Sequence, residues 1–166
     1  MADFKIGDVL MYGSTGLVKI IDKRREDAFG TERDYYILRE IGSFSESQIF
    51  VPTDNEKLVS NMRSLISASE ARELLSREER TDIEWNKDNR IRSEKFRKII
   101  DSGDREMQLS LISLINKARE ARIKEGKKSF LLDENALEKA KRLITCEFSF
   151  VLGCEPEEIR KILSEI

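Results

Sequence analysis

Histidine is absent from the chain, which removes the commonest general base and the commonest metal ligand together. Carboxylates are the remaining acid/base candidates. The adjacent pairs Glu78-Glu79 and Glu157-Glu158 do not face each other on a helix and have no nucleophile beside them. Gly126-Lys127-Lys128-Ser129 has part of the pattern of a phosphate-binding loop. The first glycine of that pattern would fall at Ala121, however, and Lys128 stands where Ser or Thr is needed. The segment reads instead as a cationic helix end favoured by the helix dipole. Cys146 and Cys154 are too far apart for a CxxC pair and lie among Phe148, Phe150, Val151 and Leu152, so both are expected to be reduced core residues. This inventory predicts no enzyme, no metal and no cofactor.

One residue stands out for recognition rather than catalysis. Trp85 is the single tryptophan of the chain, and it is followed by Asn86, Lys87, Asp88, Asn89, Arg90 and Arg92. A side chain of that size normally buries its ring, so its polar, cationic setting raises insertion into nucleic acid as an alternative. At helical spacing Trp85 shares a stripe with Phe96 and Ile99, which favours a core anchor. The same stripe carries Asp88, Asn89 and Arg92, which favours an exposed wedge, and the pattern leaves both open. Lys87 and Arg90 lie within reach of phosphates flanking an inserted ring, although a charge run is by default a solvated face.

The elements that must position these residues fall into two groups. From Phe4 to Pro52 short apolar runs alternate with turn chemistry: Asp8 to Tyr12, a tight turn bracketed by Gly13 and Gly16, Leu17 to Ile21, Asp34 to Ile41, and Gln48 to Pro52. So many short strands predict a small, strongly bent barrel. The last strand is apolar, and its edge is either paired within the domain or open to a partner strand. Thr53-Asp54-Asn55 marks the boundary, giving domains 1–54 and 55–166, the second wholly helical. Leu58, Met62, Leu65 and Ile66 suit a short helix, and Ser67 with Glu70 starts another. Thr81-Asp82-Ile83-Glu84 has the spacing of a capping box that would open a helix carrying Trp85, ended by Ser102-Gly103-Asp104. Further helices are predicted on the stripes Met107, Leu111, Leu114, Ile115, Ala118 and Leu137, Ala140, Leu143, Ile144, Phe148, with Pro156 opening the last one.

The net charge of −2 conceals a regional bias, because Lys87, Arg90, Arg92, Lys95, Arg97 and Lys98 crowd one segment against Asp88 and Glu94. No apolar run is long enough to span a bilayer, and the start lacks the pattern of a secretory leader. A soluble, cytoplasmic monomer with no membrane contact is expected.

The order of these parts is familiar. Phe4-Lys5-Ile6-Gly7-Asp8-Val9-Leu10-Met11-Tyr12, a turn with Gly16, the strand Asp34-Tyr35-Tyr36-Ile37-Leu38, the segment Ile49-Phe50-Val51-Pro52, the isolated Trp85 and the break Ser102-Gly103-Asp104 together make a chain that resembles the CarD/CdnL family of bacterial RNA polymerase-binding transcription regulators over nearly its whole length. The resemblance implies an α+β protein: a small Tudor-like or SH3-like β-barrel that binds the polymerase β-subunit lobe, followed by an all-α domain that touches promoter DNA at the upstream edge of the transcription bubble. It implies that Trp85 is a minor-groove wedge that stabilises the open complex, helped by Lys87 and Arg90. It likewise implies that Arg24 and the strand Gln48, Ile49, Phe50, Val51 contact polymerase. Phe50 stands where some members carry arginine, Asp88 where a cation is common, and Gly13 where proline is common. A protein-interaction adaptor, with the helical domain docking a second protein instead of DNA, is the alternative.

Overall fold

A computed structural model describes residues 3–27 and 30–166; the first two residues of the expected first domain lie outside the described residues. The chain divides into two compact units, the first ending at Leu65 and the second beginning at Ile66.

The first unit is built on a five-stranded antiparallel sheet of order β4-β3-β2-β1-β5, from β1 (Val9–Tyr12), β2 (Gly16–Asp27), β3 (Glu32–Glu40), β4 (Gln48–Pro52) and β5 (Met62–Ser64). The β1–β2 turn is held by the Thr15 N–H donating to the Tyr12 carbonyl at 3.0 Å. Gly13 and Gly16 take φ of +47° and +106° there, a region that L side chains enter at a cost. Alternation then sends Leu10, Val18, Ile20, Tyr36, Leu38 and Val51 to one core with Phe4 and Met62, and Ile49, Leu58 and Val59 pack against it. A register shift between Ile20 and Asp22 marks a bulge in β2, which increases local twist.

Two expectations are corrected. The barrel is not closed: β4 and β5 are the two ends of the sheet order, because the chain leaves β4 through the one-turn helix α1 (Glu56–Val59) and adds β5 onto β1. Residues beyond Asp54 are also not all helical. Leu58 and Met62 have helical spacing, but Met62 pairs with Tyr12, and the Gly13 N–H donates to the Asn61 carbonyl at 2.9 Å. The sheet partner thus outweighs the local pattern, and the first unit extends to Leu65.

The second unit contains α2 (Ala68–Ser76), α3 (Asn89–Ser102), α4 (Arg105–Lys124), α5 (Leu131–Leu152) and α6 (Pro156–Glu165). Ser67 and Glu70 form the predicted capping box of α2. Gly103, left-handed with φ +70°, ends α3, and the Asp104 side chain caps α4. The whole predicted α5 stripe from Leu137 to Phe148 is buried, as are Leu111, Ile115, Ile159 and Leu163. Burying each such side chain is worth roughly 1.5–3 kcal/mol. Cys146 and Cys154 form no disulfide and are half-buried rather than core residues; Cys146 lies off the buried stripe of α5, and Cys154 follows the helix end at Gly153. Among the described residues no helix is long and apolar enough to cross a membrane.

Candidate functional site

In the first unit the residues expected to contact polymerase separate by strand parity. Register aligns Arg24 with Tyr35 and Pro52, and Asp22 with Ile37 and Phe50. Opposed residues share a face, so Arg24, Gln48 and Phe50 lie together on one face of the sheet. Ile49 and Val51 lie on the other, where Val51 is fully buried and Ile49 packs on the core. Phe50 is half-buried, its ring edge-on to Tyr35 with centroids 6.0 Å apart. Arg24 is exposed and pairs with Glu26 at 2.6 Å and Asp22 at 3.4 Å. Exposed pairs of this kind hold their partners weakly, so the guanidinium can exchange them for another carboxylate.

The backbone of β4 has a definite outward face. The Thr53 N–H donates to the Asp34 carbonyl at 2.9 Å, which makes that facing pair a hydrogen-bonded one. Alternation along an antiparallel ladder then turns the amides of Ile49 and Val51 toward β3 and those of Gln48 and Phe50 toward the open edge. Pro52 falls in the outward set, where its missing N–H interrupts no ladder bond. An edge of this kind can take up a partner strand.

In the second unit the helix expected to open at Thr81 does not form. Residues 81–86 have no regular structure, and α3 begins at Asn89, capped by Asp88, whose carboxylate accepts from the Arg90 and Ile91 amides at 2.9 and 3.1 Å. Asp88 is therefore a helix cap. Two forces explain the late start. Asn86 accepts from the Asp88 amide through its side chain at 2.8 Å, a local bond that competes with the helix. The carbonyls of Asn86 and Lys87, which a helix would use internally, are instead taken by Nη1 of Arg92 at 2.8 and 3.4 Å.

Arg92 is the residue that the cationic run concealed. It is 1% exposed and forms a two-pronged bridge to the buried Asp133, Nε to Oδ1 at 2.9 Å and Nη2 to Oδ2 at 3.0 Å. Nη2 also donates to Asn89 Oδ1 at 2.8 Å. Its guanidinium carbon lies 4.5 Å from the Trp85 ring centroid and 5.2 Å from that of Phe130, and Arg122 covers Phe130 at 4.0 Å. Trp85, Arg92, Phe130 and Arg122 thus form an alternating aromatic and cationic stack. Phe96 meets the Trp85 ring at 6.0 Å in a tilted edge contact. The gap left beside Trp85 is about 10 Å³, no more than one water requires. Trp85 itself remains half-buried, and Lys87 and Arg90 are exposed beside it. It is thus anchored on one face without being engulfed. Sequence reading missed Arg92, Asp133 and Phe130; the available signal was a cation set into the stripe that Trp85 shares with Phe96.

Residues 4–66 match the family model of the CarD-like/TRCF RID domain. The first unit is similar to the CarD-like/TRCF RID domain. The match supports an RNA polymerase-interacting protein of the CarD-like family, and it ends within one residue of the boundary between the two units. The helical unit lies beyond it. Among curated proteins none matches the chain.

Proposed function

We propose that the RID domain docks on the β-subunit lobe of RNA polymerase through the β4 edge, and that the helical unit touches promoter DNA at the upstream edge of the transcription bubble. The observation that carries the docking is the RID match together with the open β4 edge at Gln48 and Phe50. Phe50 on that edge and Arg24, two strands in on β2, share one face of the sheet, supplying an aromatic surface and a cation for the partner. Trp85 acts as a wedge beside the distorted step, and Lys87 and Arg90 make phosphate contacts that carry no base information.

No chemistry is catalysed in this mechanism. The protein shifts an equilibrium by binding the melted promoter more tightly than the closed one, since equal contact with both would shift nothing. A wedge must offset an unstacking cost of roughly a few kcal/mol per step. A ring already fixed on one side is suited to that task, because little of its freedom remains to be lost on binding. The overall charge of −2 makes binding to naked DNA weak, so polymerase tethering supplies the effective concentration.

The test is the lifetime of open complexes formed by the cognate polymerase on a ribosomal RNA promoter, without the protein, with it, and with Trp85→Ala. A lifetime lengthened by the wild type and not by the variant supports the wedge. No lengthening despite demonstrated polymerase binding refutes it. The adaptor reading draws on the exposed Ile91, Leu131 and Leu132 of the same unit, which suit a protein surface. It expects polymerase-dependent effects to survive loss of Lys87 and Arg90.

A further inference from the structure

We infer that Arg92, held by Asp133, is the positioning residue that sets how Trp85 is presented; the inference rests on the reading of Trp85 as the DNA-facing ring. Arg92 is the largest side chain among the fully buried ones described. A buried ion pair is a poor device for stability alone, because a well-packed apolar pair of similar volume often does as well or better. What the guanidinium provides that an apolar side chain does not is a planar fork with five donors. Here they serve the two oxygens of Asp133, the Asn86 and Lys87 carbonyls and the Asn89 side chain. The Asn86 and Lys87 carbonyls belong to the backbone immediately after Trp85, so the fork fixes that loop while its face covers the indole.

The arrangement works from both sides of the ring's attachment. Asp133, 4% exposed in the first turn of α5, orients the fork. Phe130 lies against the same guanidinium, and Arg122 closes the stack. Trp85 is therefore held by Arg92 and Phe96 of α3, the helix that follows it, with Arg92 fixed in turn by Asp133 of α5. A lysine at position 92 would keep the charge but lose the fork and its flat face, which predicts a loosened ring in a folded protein.

The test uses the full chain and its single tryptophan, whose fluorescence reports on Trp85 alone. Arg92→Lys, Asp133→Asn and the milder Asn89→Ala, at an exposed position, are compared with wild type. Leu163→Ala, a core change in α6, serves as a control for general loss of stability. All are measured where circular dichroism shows each protein folded. Arg92→Lys and Asp133→Asn are expected to raise acrylamide quenching of Trp85 and to shorten open-complex lifetime roughly 2- to 30-fold relative to wild type, the scale of one cation–π interaction. Asn89→Ala should move both in the same direction by about 2-fold, at the small end of that scale, and Leu163→Ala should leave both at wild-type values. If the first two variants do not fold, Asn89→Ala decides. Unchanged quenching in folded fork variants overturns the inference, as does a wild-type lifetime despite raised quenching. If the wild-type protein itself does not lengthen the lifetime, the wedge reading fails. The quenching comparison then still decides whether Arg92 and Asp133 hold the ring.

Discussion

Gln48→Pro isolates the β4 edge from the fold that carries it. Gln48 is exposed at the first position of β4, and its amide belongs to the outward set fixed by the Thr53 to Asp34 bond and the uninterrupted β3–β4 register. Proline there removes one outward donor and no ladder bond, in the manner already tolerated at Pro52. The cost to folding should stay within about 0.5 kcal/mol, the range of ordinary surface changes. The cost to strand addition is larger, because a partner carbonyl desolvated in the interface would lose its donor at about 1–3 kcal/mol. That converts to a weakening of roughly 5- to 150-fold. Ile49→Pro is the contrasting change, since its amide faces Leu38. There the unpaired carbonyl lies inside the sheet, and the same penalty of about 1–3 kcal/mol falls on stability. The assay is affinity for the isolated β-subunit lobe beside a urea melt of each variant. Wild-type affinity in a folded Gln48→Pro protein would refute docking by strand addition, whatever the role of Arg24.

Further outcomes follow from the same geometry. Lys87→Ala and Arg90→Ala together should lower the slope of log open-complex stability against log salt by about 1 for each phosphate that is no longer neutralised, read from lifetimes across a potassium chloride series; an unchanged slope favours the adaptor. Arg105→Met strands the Glu147 carboxylate, 2% exposed, which accepts from Arg105 at 2.6 and 3.1 Å and from the Ile66 amide at 2.9 Å. Removing one partner of such a buried pair should cost about 3–5 kcal/mol in a urea melt, and a loss under about 1 kcal/mol would show that the carboxylate finds other solvation. Hydrogen bonds from Ser67 hold the Glu70 carboxyl below its usual 4.5. Its folded value is depressed, so its contribution is complete above the unfolded value and is lost as pH falls through the folded one. Ser67→Ala should therefore flatten the acid limb of stability below about pH 4.5 in urea midpoints, and an unaltered limb would show that the capping box does not couple to pH.

What was legible in the sequence follows from where the deciding partner lies. The stripes of α4, α5 and α6 and the breaks at Gly103, Gly153 and Pro156 are carried by residues within a few positions of one another, and the helices form as read. Met62–Ser64 forms a strand only because β1, far upstream in the chain, offers an edge, and nothing between Leu58 and Leu65 encodes that edge. Trp85 belongs to the same class. Thr81 to Glu84 has the spacing of a helix start, yet the helix waits for Asp88 because Arg92 withdraws the Asn86 and Lys87 carbonyls. Arg92 is free to do so only because Asp133, on α5, neutralises it in the interior. Read locally, an arginine among neighbouring cations is a solvated face, whereas read with Asp133 and Phe130 it is the floor on which the tryptophan rests. Between the two readings of Trp85 left open by the sequence, the structure shows an intermediate burial: one face is packed on a buried cation while the ring as a whole stays half-buried. A wedge needs both properties, since a fully exposed ring would lose its conformational freedom on binding and a fully buried one would have nothing to insert.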